Sequence, residues 1–369
     1  MKQKAFTFLK NEIVLVLSFV LAAVSAFFVP LSKQYAAYID FRTLALLFSL
    51  MAVMAGFSQA GVFKWIAKKL LRKAEKTNQL YLVLVLLCFF SAMVITNDVA
   101  LITFVPFTVI TLKMAKQEKL LIFITVAETV AANLGSMLTP IGNPQNLYLF
   151  SLFNLSAFDF VKTIFPYSAL SLVLLLFGSF FVKKSDIRLE SETDETILSK
   201  KAILLYSVLF LLALLSVFRV LPYPILLGVV LLALLLFDRR NFINIDYSLL
   251  LTFVFLFIFI GNLGNIEIIN RFLQKIVVGH EVPVGIIASQ VFSNVPACLL
   301  LSGFTQDAKG LLIGTNLGGL GTLIASMASL ISYKLIQKEK IKSGAYLLVF
   351  TGINALFLAL NIVLWLVIK

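Results

Sequence analysis

The chain has 369 residues, 60% hydrophobic and 13% charged, with a mean hydropathy of +1.01. A soluble domain is roughly 45–50% apolar and about 25% charged, so this composition excludes an ordinary soluble protein. The formal net charge of +13 comes from basic residues in short loops between apolar runs, which fits a membrane charge bias rather than nucleic-acid binding.

In chain order, the apolar runs predict spans over 11–30, 41–58, 120–147, 161–182, 202–217, 223–237, 246–263, 311–333 and 345–368. The start, "MKQKAFTFLKNEIVLVLSFVLAAVSAFFVP", imitates a signal peptide. It reads as a retained first span, because "PYPILLGVVLLALLLF" stands at the equivalent place in the second half. Residues 62–77 place Phe63, Ile66, Leu70 and Leu71 among basic residues and read as a helix lying at the inner membrane surface. Residues 79–112 and 282–304 are apolar but polar at their middles, and both read as re-entrant helical hairpins. Arms of about ten residues around Asn294 reach about 15 Å, half of a hydrocarbon core of about 30 Å.

Loop charges set the orientation. Lys2, Lys4 and Lys10, the segments 64–76, 113–119 and 237–241, and "KLIQKEKIK" (334–342) are all basic. All become cytoplasmic when each hairpin returns to the side it entered from, giving a cytoplasmic N-terminus, an external C-terminus and a cell (inner or plasma) membrane location. Residues 183–201 form a charged cytoplasmic connector, followed by one extra span over 202–217.

The chain also repeats itself. Residues 133–147, "NLGSMLTPIGNPQNL", share six of fifteen positions with 316–330, "NLGGLGTLIASMASL". Residues 96–100 (TNDVA) match 293–297 (SNVPA), and 39–48 match 245–254, in the same order. The extra span makes the second copy start on the opposite side. The expected fold is therefore an all-α polytopic membrane protein built as an inverted repeat. Residues 1–182 form the first copy, with hairpin 79–112 and broken helix 120–147. Residues 183–221 link it to the second copy, 222–369, with hairpin 282–304 and broken helix 311–333.

Hydrocarbon makes unpaired amides expensive, so polar breaks inside apolar spans require a use. Transporters built from inverted repeats bind their solute near the midplane, where helices break. The candidate site comprises the tips Thr96, Asn97 and Asp98, and Ser293 and Asn294. It also takes in the unwound stretches: Asn133, Gly135, Thr139, Pro140, Gly142, Asn143 and Pro144 in one copy, and Asn316, Gly318, Gly319 and Thr322 in the other. Glycine and proline let the helix open; Thr139, Asn143, Gln145 and Asn146 then pair with backbone, water or cargo. Hydroxyl and amide oxygens suit sodium, transported or coupling, with Asn97 and Asn294 as its candidate ligands. Exposed N–H groups at helix starts suit an anion. Asp98 and Glu128 are ionisable groups in apolar sequence and candidates for proton coupling. Glu128 aligns with Leu311 and so lies outside the paired site.

"TNDVALITFVP", "NLGSMLTPIGNPQNLY", "SNVPACLL" and "TNLGGLGTLIASM" resemble the ion transporter superfamily, over roughly residues 11–182 and 222–368. That group includes arsenite permeases, citrate-transporter-like proteins and divalent-anion:sodium symporters. The resemblance implies an inverted-repeat fold with two re-entrant hairpins, and a homodimer with a moving transport unit. The symporters carry Ser-Asn-Thr at both tips, binding sodium and a substrate carboxylate. Here the tips are Thr96-Asn97-Asp98 and Ser293-Asn294-Val295. These departures point away from dicarboxylates, toward the arsenite-permease-like or an uncharacterised anion-permease branch.

The expected function is a secondary transporter moving a small inorganic or organic anion by alternating access, coupled to sodium or protons. The alternative is a sodium/proton antiporter using Asp98 and Glu128. An enzyme is not expected, because His280, Cys88 and Cys298 lie far apart in sequence and supply neither a nucleophile with its base nor a metal cluster. No nucleotide motif, cofactor or structural metal is expected either. The expected partners are the bilayer, the anionic solute and a second copy of the chain.

Overall fold

Inside hydrocarbon no water pairs with backbone groups, so a chain this apolar has to satisfy them within helices. The computed structural model describes residues 12–30, 33–71, 74–187, 198–339 and 341–369. Lys2, Lys4 and Lys10, Arg72 and Lys73 in the segment 64–76, residues 188–197 of the connector, and Lys340 lie outside the described residues. Among the described residues there is no strand, only an isolated bridge between Lys76 and Asp186. Among the described residues eight helices are long and apolar enough to cross a membrane, or up to nine if a pair bent by 113° is one span.

The first half contains α1 (Ile13–Phe28), α2 (Gln34–Tyr38), α3 (Phe41–Gln59), α4 (Val62–Leu71), α5 (Thr77–Ile95), α6 (Asn97–Met114), α7 (Leu121–Ser136), α8 (Pro144–Leu152) and α9 (Ala157–Gly178). After the connector come α10 (Lys200–Val217), α11 (Tyr223–Phe237), α12 (Tyr247–Asn265), α13 (Glu267–Val277), α14 (Glu281–Phe292), α15 (Asn294–Ser302), α16 (Ala308–Leu317), α17 (Met327–Gln337) and α18 (Ser343–Ile368). The expected span 120–147 thus divides into α7 and α8, and 311–333 into α16 and α17.

Local chemistry repeats between the halves. Asp40 caps α3 by accepting from Thr43 N at 3.0 Å, and Asp246 caps α12 by accepting from Leu249 N at 2.9 Å. A side-chain oxygen at this position satisfies one of the unpaired N–H groups of a helix start. The cap residues share a backbone, with φ −80° and ψ 87° at Asp40 and φ −79° and ψ 86° at Asp246.

Side-chain contacts fix the helix directions. Tyr81 stacks on Phe123, and the Phe89 backbone lies against Gly135, so α5 and α7 run parallel. Asn97 bonds Asn133 and Thr108 bonds Glu128, so α6 runs opposite to α7. Hence α5 and α6 fold back on one another at Thr96. The second half does the same. Gly285 lies against Gly314 and Ser289 against Gly318, setting α14 parallel to α16. Asn294 lies against Gly319, and Cys298 bonds Thr315, setting α15 opposite to α16. The arms differ in length: α5 and α6 have 19 and 18 residues, α14 and α15 have 12 and 9.

The helix ends gather on two faces. On one, Gln59 donates to Asn241 at 2.7 Å, Thr77 Oγ1 donates to the Lys183 carbonyl at 2.5 Å, and Lys113 pairs with Glu339. The amphipathic α4 lies across α3, α5 and α6 there, burying Phe63, Ala67 and Leu71. Leu70 is 40% exposed. On the other face, Arg42 donates to the Ser216 carbonyl at 3.2 Å, and Asn262 to Ser25 at 2.9 Å. Between the faces lies α7, every residue of which from Ile124 to Ser136 is buried, packed by α5, α6, α9, α17 and α18.

Candidate functional site

Both tips hold a residue in a backbone conformation that essentially only glycine adopts freely. Thr96 has φ 73° and ψ 153°, and Ser293 has φ 72° and ψ 154°. Such residues cost about 1–3 kcal/mol each, and they cluster at functional sites. The kink lets the next helix begin at once. Asn97 Oδ1 then accepts from Asp98 N at 2.9 Å, and Asn294 Oδ1 from Val295 N at 3.0 Å.

Each tip reaches a break. Asn97 N donates to the Gly142 carbonyl at 3.3 Å, and Asn97 Nδ2 to Asn133 Oδ1 at 2.9 Å. Ser293 Oγ lies 3.5 Å from the Ala325 carbonyl, and Ala325 is the repeat counterpart of Gly142. A Cβ on Gly135 would stand 2.2 Å from the Phe89 carbonyl oxygen, and one on Gly142 2.1 Å from that of Ser136. Glycine at 135 therefore lets the hairpin arm approach, and glycine at 142 lets the break fold back on the end of α7. Pro144 opens α8, where a missing N–H costs nothing, and Pro140 is buried in the break before it.

The breaks are stitched by different residues. In the first, Asn146 Nδ2 faces the carbonyls of Ser136, Met137 and Thr139 at 3.4, 3.3 and 3.2 Å. Asn143 donates to Ser136 Oγ at 2.7 Å, and Thr139 Oγ1 donates to the Met93 carbonyl. In the second, Gln290 Nε2 donates to the Gly318 and Leu320 carbonyls, both at 2.9 Å, while its Oε1 accepts from Thr322 N at 2.9 Å. Gly319 lies beside Asn294. The side chain of Thr322 is exposed, so it enters through its backbone alone.

The two breaks also bond to each other. Asn133 Oδ1 accepts from Ser326 at 3.0 Å, Asn133 Nδ2 donates to Ser329 at 3.3 Å, and Asn316 Nδ2 donates to Asn146 Oδ1 at 2.7 Å. The starts of α6, α8, α15 and α17 and the ends of α5, α7, α14 and α16 therefore meet in one place. Helix starts carry partial positive charge and helix ends partial negative charge, so the junction offers ligands for both ion signs. Several side-chain atoms there are buried without a partner: Asn143 Oδ1, both amide atoms of Gln145, Asn316 Oδ1 and Asp98 Oδ1. Each such group costs about 1–3 kcal/mol unless something pairs with it.

Glu128 lies outside this set of contacts. It is fully buried and accepts from Thr108 at 2.5 Å, with Cys88 beside it. Among the described residues no group of three or more His, Cys, Asp or Glu could hold a metal. Gln145 and Asn146 are among the residues expected to pair with backbone, water or cargo, whereas Ser326, Ser329 and Gln290 were not singled out individually. Ser326 and Ser329 were detectable as repeat counterparts of Asn143 and Asn146. Gln290 has no such signal, because it acts from a hairpin arm.

A model of the citrate transporter family matches residues 6–310. The chain belongs to that family. As a family member it is similar to an uncharacterised transporter of Methanocaldococcus jannaschii, 36% identical over 317 residues, covering 84% of this chain and 85% of that protein. It is also similar to the inner membrane protein YbiR of Escherichia coli, 32% identical over 333 residues and 86% of each chain. A putative transporter arsB of Dictyostelium discoideum matches 143 residues at 29% identity, 38% of this chain and 25% of that protein. This citrate-transporter-family chain is a multi-pass membrane transport protein and not an enzyme.

Proposed function

We propose that the chain is a secondary transporter moving a small inorganic or organic anion by alternating access, coupled to sodium or protons. The observation that carries this reading is the junction itself. Two strained tips and two broken helices from the two halves meet around buried amide atoms that have no protein partner. Amide N–H groups and four helix starts would hold the anion, while carbonyl and amide oxygens would hold a coupling sodium.

In this reading the two helical pairs are re-entrant, the halves form an inverted repeat, and the basic face is cytoplasmic. The working unit is a homodimer. Support comes from the matched tips and caps, and from Lys113, Lys119, Lys183, Arg239 and Lys334 belonging to helix ends of that face. The test is a thermal-shift screen of the purified protein against oxyanions and carboxylates, with and without sodium. Stabilisation by one anion, enhanced by sodium or by acid, supports the reading. No stabilisation by any anion under any condition removes it.

The sodium/proton antiporter is the second reading, favoured by the two buried carboxyl oxygens without partners, Asp98 Oδ1 and Glu128 Oε2. Sodium movement against a pH gradient in liposomes lacking any other anion than a bulky impermeant one would select it.

A further inference from the structure

Below the junction, α7 and α17 face each other through a column of small polar groups. Thr129 donates to Ser332 at 2.7 Å, and Ser332 lies 3.3 Å from the Tyr346 hydroxyl, every one of them buried. One helical turn further along α7, Asn133 bonds Ser326 just before α17, Ser329 within it, and Asn97 of the first tip. Hydroxyls both donate and accept, so such a column relays a change at one end to the other. Glu128 sits beside this column. One of its oxygens accepts from Thr108, while Oε2 is buried without a hydrogen-bond partner. Glu128 forms no ion pair among the described residues. The titratable groups facing it are Cys88 from α5 and Tyr346 from α18; α6 presents Thr108 and α17 presents Ser332.

We infer that Glu128 is the proton-binding group of the transport cycle, taking up one proton as the anion enters the junction and releasing it as the anion leaves. This rests on the transport reading and names its coupling ion. Glu128 precedes Asn133 by five residues, about 7.5 Å along the helix. An anion at the junction adds negative charge at that distance in a medium that screens poorly, so an ionised carboxyl and a bound anion oppose each other. Uptake of a proton by the carboxylate gives the neutral acid and removes the conflict. Linkage makes the coupling reciprocal: acid tightens the anion, and the anion promotes protonation.

The test has two arms on the purified full chain. Infrared difference spectra across a pH jump should contain a protonated-carboxyl band that is absent in Glu128→Gln and shifted in Cys88→Ala. Binding of the anion selected by the thermal-shift screen should tighten by up to tenfold per pH unit in the wild type and become independent of pH in Glu128→Gln. No titrating band assignable to Glu128 overturns the inference, as does an unchanged pH slope in Glu128→Gln. The infrared arm needs no anion, so it decides on Glu128 separately from the screen, whose failure would remove the transport reading alone.

Discussion

Asn316 donates to Asn146 across 2.7 Å, joining the end of α16 to the start of α8, and its repeat-related pair, Asn133 and Ser329, closes at 3.3 Å in the opposite sense. Swapping the halves turns one pair into the other, since Asn133 aligns with Asn316 and Asn146 with Ser329. The pairs sit among buried groups, where a lost partner leaves the other group unsatisfied. Asn316→Ala is expected to cost about 1–3 kcal/mol. Combining it with Asn146→Ala should cost less than the two losses summed, with a coupling of roughly 0.5–3 kcal/mol. Thermal unfolding of the two single variants and the double variant measures this. Strict additivity would mean that the pair carries no energy.

The positions of the breaks were legible because Gly135, Pro140, Gly142 and Pro144 interrupt an otherwise seamless apolar run. The tips were legible for the same reason, as polar triplets inside hydrocarbon-length stretches. What lay beyond reading was the stitching of the second break. Gln290 looks like an ordinary helical residue in "IIASQVF", and only the fold brings it to the Gly318 and Leu320 carbonyls. The expected span stops at 147, whereas α8 runs on to Leu152, two residues before Asn154, which has φ 50°.

Close backbone approach gives the glycine prediction. Gly142→Ala would drive its methyl into the Ser136 carbonyl, and Gly135→Ala into that of Phe89, both backbone atoms that cannot rotate away. Each is expected to destabilise the protein by roughly 1–3 kcal/mol. Gly264→Ala, with nothing within 4 Å, is expected to be tolerated and serves as the control. Equal melting temperatures for all three variants would show that the breaks do not need these contacts.

Gln290 offers a test of whether the second break is held open by one side chain. Its amide serves the Gly318 and Leu320 carbonyls and the Thr322 N–H, all at 2.9 Å, besides the Ile286 carbonyl of its own helix at 3.2 Å. Gln290→Leu keeps the bulk and strands these groups, so anion-induced stabilisation should fall at least tenfold in apparent affinity. Gln290→Glu should keep the contact to Thr322 N while losing both donors, and should show an intermediate loss. A Leu variant that binds like the wild type would assign the break's shape to Gly321, whose φ is 104°.

The fold-back of α5 on α6 predicts which side each end meets. Cys88 and Cys298 are both buried, so a variant with both changed to Ala provides a background for single cysteines. Cysteine at Lys113 and at Lys76, the two outer ends of the pair, should react with an impermeant maleimide from the same side of sealed vesicles. Cysteine at Asn270 in α13 should react from the other side. Labelling of positions 76 and 113 from opposite sides would mean that α5 and α6 cross as one continuous rod, against the contacts of Asn97 and Thr108 with α7.

The tip asparagines carry the most direct functional prediction. Asn97 and Asn294 each accept from the next backbone N–H through their amide oxygen, at 2.9 and 3.0 Å, and Asn97 spends its amide nitrogen on Asn133 at 2.9 Å. Replacing either with alanine removes this bond and a tip side chain of the proposed site, yet leaves the helix arms and their apolar packing intact. Asn97→Ala and Asn294→Ala should therefore insert and purify as folded protein, with a stability loss of about 1 kcal/mol from the missing hydrogen bond, and should lose saturable anion uptake. Strain at the neighbouring residues separates binding from folding. Thr96→Gly and Ser293→Gly relieve a backbone that costs about 1–3 kcal/mol, so both should raise the melting temperature while weakening anion binding, because a relaxed tip no longer presents its N–H groups in a fixed direction. Full uptake in both asparagine variants, or glycine variants that are less stable than the wild type, would detach the tips from the site.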